Sequence, residues 1–207
     1  NKELEMTTTA TTPNVELAIN TIFEVLGEPT DEWQRQALEQ YKKGDAIAVK
    51  KINASHLRDF YCKCLGFLVS ATSTNPALRK LLSAATNAAA DHAQVKTLDK
   101  ISDGNAIAFD SSDPVGNATQ NILRFLTPQT EYHHLALASR TNYDALKELE
   151  KENPEDNLIK VLLYLTKAKP DSPALFTIIA EAGTTAALYV RNLEHQKITD
   201  AINTALN

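Results

Sequence analysis

Glycine is scarce. Six glycines in 207 residues leave too few turns for a β-propeller, a collagen or a loop-rich scaffold. No apolar run approaches the ~18 residues of a membrane helix. The uncharged stretch Cys64 to Leu78 is interrupted by Ser, Thr, Asn and Pro. The chain opens NKELEM, unlike a basic-then-apolar secretion signal, so a soluble intracellular protein is expected. The two cysteines, Cys62 and Cys64, stand two apart. On a helix that spacing turns them roughly 200° apart, which suits neither one metal site nor a disulfide. Buried apolar thiols are expected instead. No strand-like alternation persists anywhere.

The catalytic repertoire is equally thin. There is no phosphate-binding glycine loop, no GxSxG and no HExxH. His133 and His134 are adjacent on a helical pattern and point about 100° apart. One of them is a possible zinc ligand, but no partner stands at a ligand spacing. Asp103, Asp110 and Asp113 do not follow the EF-hand pattern. Asn53-Ala-Ser55 and Asn117-Ala-Thr119 match glycosylation sequons by chance. The expectation is a protein that is not an enzyme, with no metal and no cofactor.

Hydrophobic residues at 43% and charged residues at 23% exclude wholesale disorder. A chain of this length buries roughly 70% of its unfolded surface, so no disulfide or metal staple is required. Thr12-Pro13, Asn75-Pro76, Thr127-Pro128, Asn153-Pro154 and Ser172-Pro173 each read as a cap followed by proline at a helix start. Helical spacing covers Val15 to Leu26, Thr30 to Lys43, Ser55 to Val69, Pro76 to Ala90, and Ile122 to Leu126. It returns through Tyr132, Leu135, Tyr143, Leu146 and Leu149, then Leu158 to Leu165. A last long helix from Leu175 is interrupted near Gly183. Residues 102–116, with Gly104, Gly116, Pro114 and three aspartates, break the period. The fold expected is all-α, a compact multi-helix core with a flexible N-terminal arm (1–12) and a helical C-terminal extension. Residues 13–140 form the core, and residues 141–207 share it.

Charge is segregated. The net charge is −5, yet residues 35–80 carry nine basic and three acidic residues, while residues 1–34 carry one and seven. A local basic surface binds anions whatever the total charge; the alternative is a solvated helical face. Arg58 falls on the apolar helix Ser55 to Val69. Asp110 falls in the irregular stretch between Ile107 and Ser111. A charge among apolar neighbours needs a partner, and these two could supply one another as a bidentate pair. The alternative is two unrelated exposed charges.

The run Leu57-Arg58-Asp59-Phe60 resembles the Leu-Arg-x-Phe helix of flexuous filamentous plant-virus coat proteins, of the potexvirus and carlavirus kind. Ala108-Phe109-Asp110-Ser-Ser-Asp113-Pro-Val115-Gly-Asn117 resembles their Ala-Phe-Asp-x-x-Asp-x-Val-x-Asn block. Ile122-Leu123-Arg124 with Thr127-Pro128 and Glu131 is similar to their following run, and Gly27-Glu-Pro29 to an upstream turn. Gly66-Phe67-Leu68 stands where that family carries tryptophan-asparagine. The resemblance spans residues 15–140, about two thirds of the chain, and implies a divergent member. It implies a capsid subunit that polymerises into a helical filament around single-stranded RNA. The counterparts of Arg58 and Asp110 would form the RNA groove, and the N-terminal arm would dock on a neighbouring subunit. Location would be the virion and the host cytoplasm, with no membrane partner. Candidate RNA-binding residues are Arg58, Asp110, Lys50, Lys51, Lys63 and Arg124. The rival reading is a cytosolic helical interaction module or scaffold without nucleic acid.

Overall fold

The computed structural model describes residues 14–207. The expected arm at 1–12 lies outside them. Among the described residues there are ten helices and no strand, so the protein is all-α. The elements are α1 (Val15–Leu26), α2 (Glu32–Lys42), α3 (Ala46–Ser55), α4 (Phe60–Leu68), α5 (Leu78–Phe109), α6 (Pro114–Leu123), α7 (Glu131–Ala138), α8 (Tyr143–Glu152), α9 (Asn157–Lys167) and α10 (Leu175–Leu206). Among the described residues no helix is long and apolar enough to cross a membrane.

Side-chain acceptors explain most of the starts. Helix N-termini leave backbone N–H groups without intrahelical partners. Asn14, Asp45, Asp59, Asp113, Thr130, Asn142 and Asp156 accept from the backbone N–H three residues on, at 2.9–3.3 Å. Proline plays a different part from the one expected. Only Pro114 is a first helical residue, behind the Asp113 cap, among the described helices. Pro76, Pro128, Pro154 and Pro173 sit in the turns ahead of α5, α7, α9 and α10. Proline bars the residue before it from the helical region, so it shapes the approach rather than the first turn. Asn153 is the C-terminal cap of α8. Helices α1 and α2 are followed by Gly27 and Gly44, whose φ of 67° and 71° are costly for any other residue.

The chain divides into two compact units, residues up to Ala89 with Gln196–Asn207, and Ala90–His195. The division falls at neither 102–116 nor 140. The first unit holds α1 to α4, residues 78–89 of α5 and residues 196–206 of α10. Its core gathers Ile22, Leu26, Ala37, Val49, Tyr61, Leu65, Leu82 and Ile198. The start of α1 is held to the end of α10 by Asn14 N–H donating to the Ala205 carbonyl at 3.1 Å. The Arg79 guanidinium donates to the Leu206 carbonyl at 2.9 Å. The second unit holds the rest of α5 and α10 with α6 to α9. Its core gathers Ile101, Ile122, Leu146, Leu158, Ile159, Leu162, Ile179 and Ala186. Arg191 pairs with Asp91 at 2.6 Å.

Three further expectations are corrected. The helix expected over Ser55 to Val69 starts only at Phe60, as α4, and Ser55 is the last residue of α3. Asp59 turns its carboxylate back onto Cys62 N–H, which starts a new helix there and leaves 56–59 as a turn. Helix α3 itself is an element that the spacing did not reveal. The break expected over 102–116 shrinks to 110–113, because α5 continues to Phe109. Gly183 does not interrupt α10.

Two of the three helical glycines of the second unit, Gly104 and Gly183, answer to close approach, not to turning. A Cβ on Gly183 would stand 2.9 Å from Ile101 Cγ2, and one on Gly104 would stand 2.2 Å from Asn121 Oδ1. Asn121 is pinned there, donating to the Ile101 carbonyl and to Asn105 Oδ1, both at 2.9 Å. Alanine is a better helix former than glycine by ~1 kcal/mol, yet making room at residue 104 breaks two part-buried hydrogen bonds. Gly104→Ala is therefore expected to lose about 1–2 kcal/mol of stability, read from urea unfolding. An equal or higher midpoint would mean that Asn121 moves freely.

Candidate nucleic-acid interface

The sequence candidates fall in both units. In the first, Lys50 and Lys51 are exposed on α3. They lie three and four residues after Ile47, which is 82% exposed, and shortly before Ala54, also exposed. Residues at that spacing share one helix face. The turn after α3 carries Leu57, 71% exposed, and Arg58, exposed. Arg58 thus stands in the turn before α4 and not on an apolar helix, so its surroundings do not oblige it to have an internal partner. Neither it nor Lys50 nor Lys51 has an ion pair among the described residues. Lys63 is half-buried on α4, its ammonium 5.4 Å from the Phe60 ring centroid.

In the second unit, Arg124 is exposed and its guanidinium lies 4.8 Å from the Phe125 ring centroid. Asp110 is exposed directly after α5, its backbone N–H donating to the Ile107 carbonyl at 3.2 Å. Arg58 and Asp110 therefore belong to different units. The block Ala108 to Asn117 forms the junction between α5 and α6. Asp113 caps α6, and Asn117 Nδ2 donates to Ser111 Oγ at 2.8 Å.

Two residues the sequence did not single out complete the first-unit surface. Trp33 and His56 stack with ring centroids 4.7 Å apart and planes 9° from parallel. Trp33, Ala54, His56, Leu57, Arg58 and Asp59 line a groove of about 480 Å³. The floor is fixed by the Asp59 carboxylate. Its Oδ2 accepts from Trp33 Nε1 at 2.7 Å and from buried Gln34 Nε2 at 2.9 Å, while Oδ1 caps α4. Gln34 Oε1 in turn accepts from Thr30 and Asp31 N–H at 2.9 and 3.2 Å, closing the start of α2. Trp33 lies 23 positions before His56, and no spacing rule links them; only the packing of α2 on α3 and α4 does.

His133 is buried; its Nδ1 accepts from Gln129 N–H at 2.9 Å, and its Nε2 meets Asp156 Oδ2 at 2.6 Å. Nδ1 thus holds the segment before α7 and Nε2 ties α7 to the cap of α9, while His134 is exposed. No group of three metal-ligating side chains occurs among the described residues. Cys62 and Cys64 are buried free thiols. Burial pushes Cys62 up to about 12 and Cys64 higher still.

No family model, curated protein or solved structure matches this chain.

Asp59→Ala removes a helix cap and the acceptor for both Trp33 and Gln34. A loss of about 3 kcal/mol is expected, with red-shifted tryptophan emission; unchanged unfolding would mean that these donors find other acceptors. The thiols set an alkaline limit. They stay neutral when folded but ionise in the unfolded chain near their ordinary value of 9.0. Stability should be level below about pH 8 and fall above about pH 9, each thiol contributing up to about 1.4 kcal/mol per pH unit. Neither thiol should react with a disulfide reagent before unfolding. A level profile to pH 11 would contradict their burial.

Proposed function

We propose that the protein is a coat-type subunit that polymerises on single-stranded RNA, with the α3–α4 surface meeting the strand. The observation that carries this reading is the ridge of Lys50, Lys51 and Arg58. Three exposed cations lie on α3 and in the turn after it, without ion-pair partners among the described residues, in a chain of net charge −5. Cations left unpaired on an acidic protein favour a polyanion as the partner. Arginine can hydrogen-bond a phosphate bidentately or stack on a base, which suits binding without sequence preference. The resemblance to flexuous-virus coat proteins supports the same reading, and the roles of Asp110, Lys63 and Arg124 rest on that resemblance or on the basic segment alone. Polymerisation through an N-terminal arm belongs to the proposal in the same way.

A second reading, a helical interaction module without nucleic acid, is favoured by exposed apolar side chains. Ile107 and Phe176, in the second unit, are 74% and 71% exposed. Electron microscopy and the ultraviolet absorbance ratio of purified protein separate the two. RNA-bearing filaments support the coat reading; nucleic-acid-free protein supports the module.

The RNA reading is tested at α3. The double variant Lys50→Gln/Lys51→Gln should weaken binding to single-stranded RNA. It should also reduce the slope of log affinity against log salt by about 1.4, the value for two phosphate contacts on a single strand. Unchanged affinity and slope would move the RNA contact away from this ridge.

A further inference from the structure

We propose that the stacked Trp33–His56 pair is a platform for one unpaired nucleobase, a subsite that rests on the RNA reading and specifies how the strand is held. The ring planes are within 9° of parallel at 4.7 Å, so a base laid on His56 would extend an existing stack. The platform is built before any ligand arrives. Trp33 is held by its Nε1–H on Asp59 at 2.7 Å, and Asp59 is itself fixed by Gln34 and by the cap on α4. His56 is held at the end of α3, its N–H donating to the Asn53 carbonyl at 3.0 Å. A rigid aromatic surface loses little conformational freedom on binding.

The surroundings select a base over a phosphate at this spot. Asp59 lines the groove, and its negative charge repels a phosphate placed over the rings. Arg58, at the wall, and Lys50 and Lys51, further along the ridge, provide the positive charge. The groove thus sets an aromatic, acid-backed floor beside one lining cation, Arg58. That arrangement matches a nucleotide with its base inward and its phosphodiester outward. Leu57 adds an apolar wall for the ribose edge. About 480 Å³ gives room for a base with its sugar. Every base has a π-face, so such a platform reads no sequence and suits a coat that covers an entire strand.

Trp33 is the only tryptophan in the chain, so emission reports directly on this groove. The experiment titrates the full-length protein with a short oligoadenylate and, separately, with an abasic phosphodiester oligomer of equal length. The oligoadenylate should quench Trp33 emission, and the abasic oligomer should bind more weakly without quenching. His56→Ala should weaken oligoadenylate binding about ten-fold while leaving the abasic oligomer unaffected. His56→Phe, which preserves a flat ring, should bind oligoadenylate within about two-fold of the parent and so guards against a fault in folding. Oligoadenylate that binds without quenching overturns the platform and leaves the RNA reading standing. So does equal quenching by both oligomers, or undiminished binding by His56→Ala. Failure of both oligomers to bind defeats the RNA reading itself and the platform with it.

Discussion

One carboxylate organises the first unit. Asp59 accepts hydrogen bonds from Trp33 Nε1 and Gln34 Nε2 on α2, and from the Cys62 backbone N–H at the start of α4. Two elements distant in sequence therefore converge on one side chain. A carboxylate can accept several such bonds, and bonds to a charged acceptor are stronger than neutral ones. The geometry has two consequences. It ends α3 and begins α4 within a short turn, and it sets the indole parallel to His56. The exposed position of Arg58 follows from the first, since a helix continuous through residue 58 would have carried that side chain on a face of its own.

The second unit is organised by close approach. Gly183 lies against Ile101, and Gly104 lies against an Asn121 already committed to Ile101 and Asn105. Ala182 and Ala186 continue the same economy of volume on α10, both fully buried. Interiors pack at near-crystalline density, so small residues at such contacts let backbones approach without voids. The price is intolerance of added volume. His133 belongs to this architecture as well: its two ring nitrogens are bonded to a backbone donor and to the carboxylate that caps α9. A histidine so placed orders helices, and using it as a base or ligand would sacrifice one of those bonds.

The surfaces contrast with these interiors. The polar groups of the buried clusters are largely consumed by caps and helix junctions, whereas the cations of α3 and the following turn have no internal ion pair among the described residues. The surface proposed to meet RNA is an exposed helix with an open groove beside it. Such a surface holds an extended ligand by many modest contacts, each exchangeable with water. An RNA strand satisfies that description, since phosphate contacts and base stacking add along its length without requiring a deep pocket.

The amino-acid sequence by itself determined the helical class, the presence of most helices and the basic character of residues 35–80. These depend on local period and on counting charge, and both survive whatever the chain packs against. It also placed the ends of α1 and α2, because Gly27 and Gly44 supply a backbone conformation that is costly elsewhere. It misread Gly104, Gly116, Pro114 and Gly183, where the same residue types serve close packing and a helix start. Glycine marks a turn or a tight contact, and only a neighbour distinguishes them; for residue 104 that neighbour is Asn121. It likewise began α4 at Ser55 and missed α3, because the start at Phe60 is set by an acceptor, Asp59, whose other partners Trp33 and Gln34 lie on another helix. The charges of the α3 ridge were legible along the chain. The stacked rings beside them were decided by tertiary structure alone, since the packing of α2 on α3 and α4 brings Trp33 to His56 across 23 positions that no local rule connects.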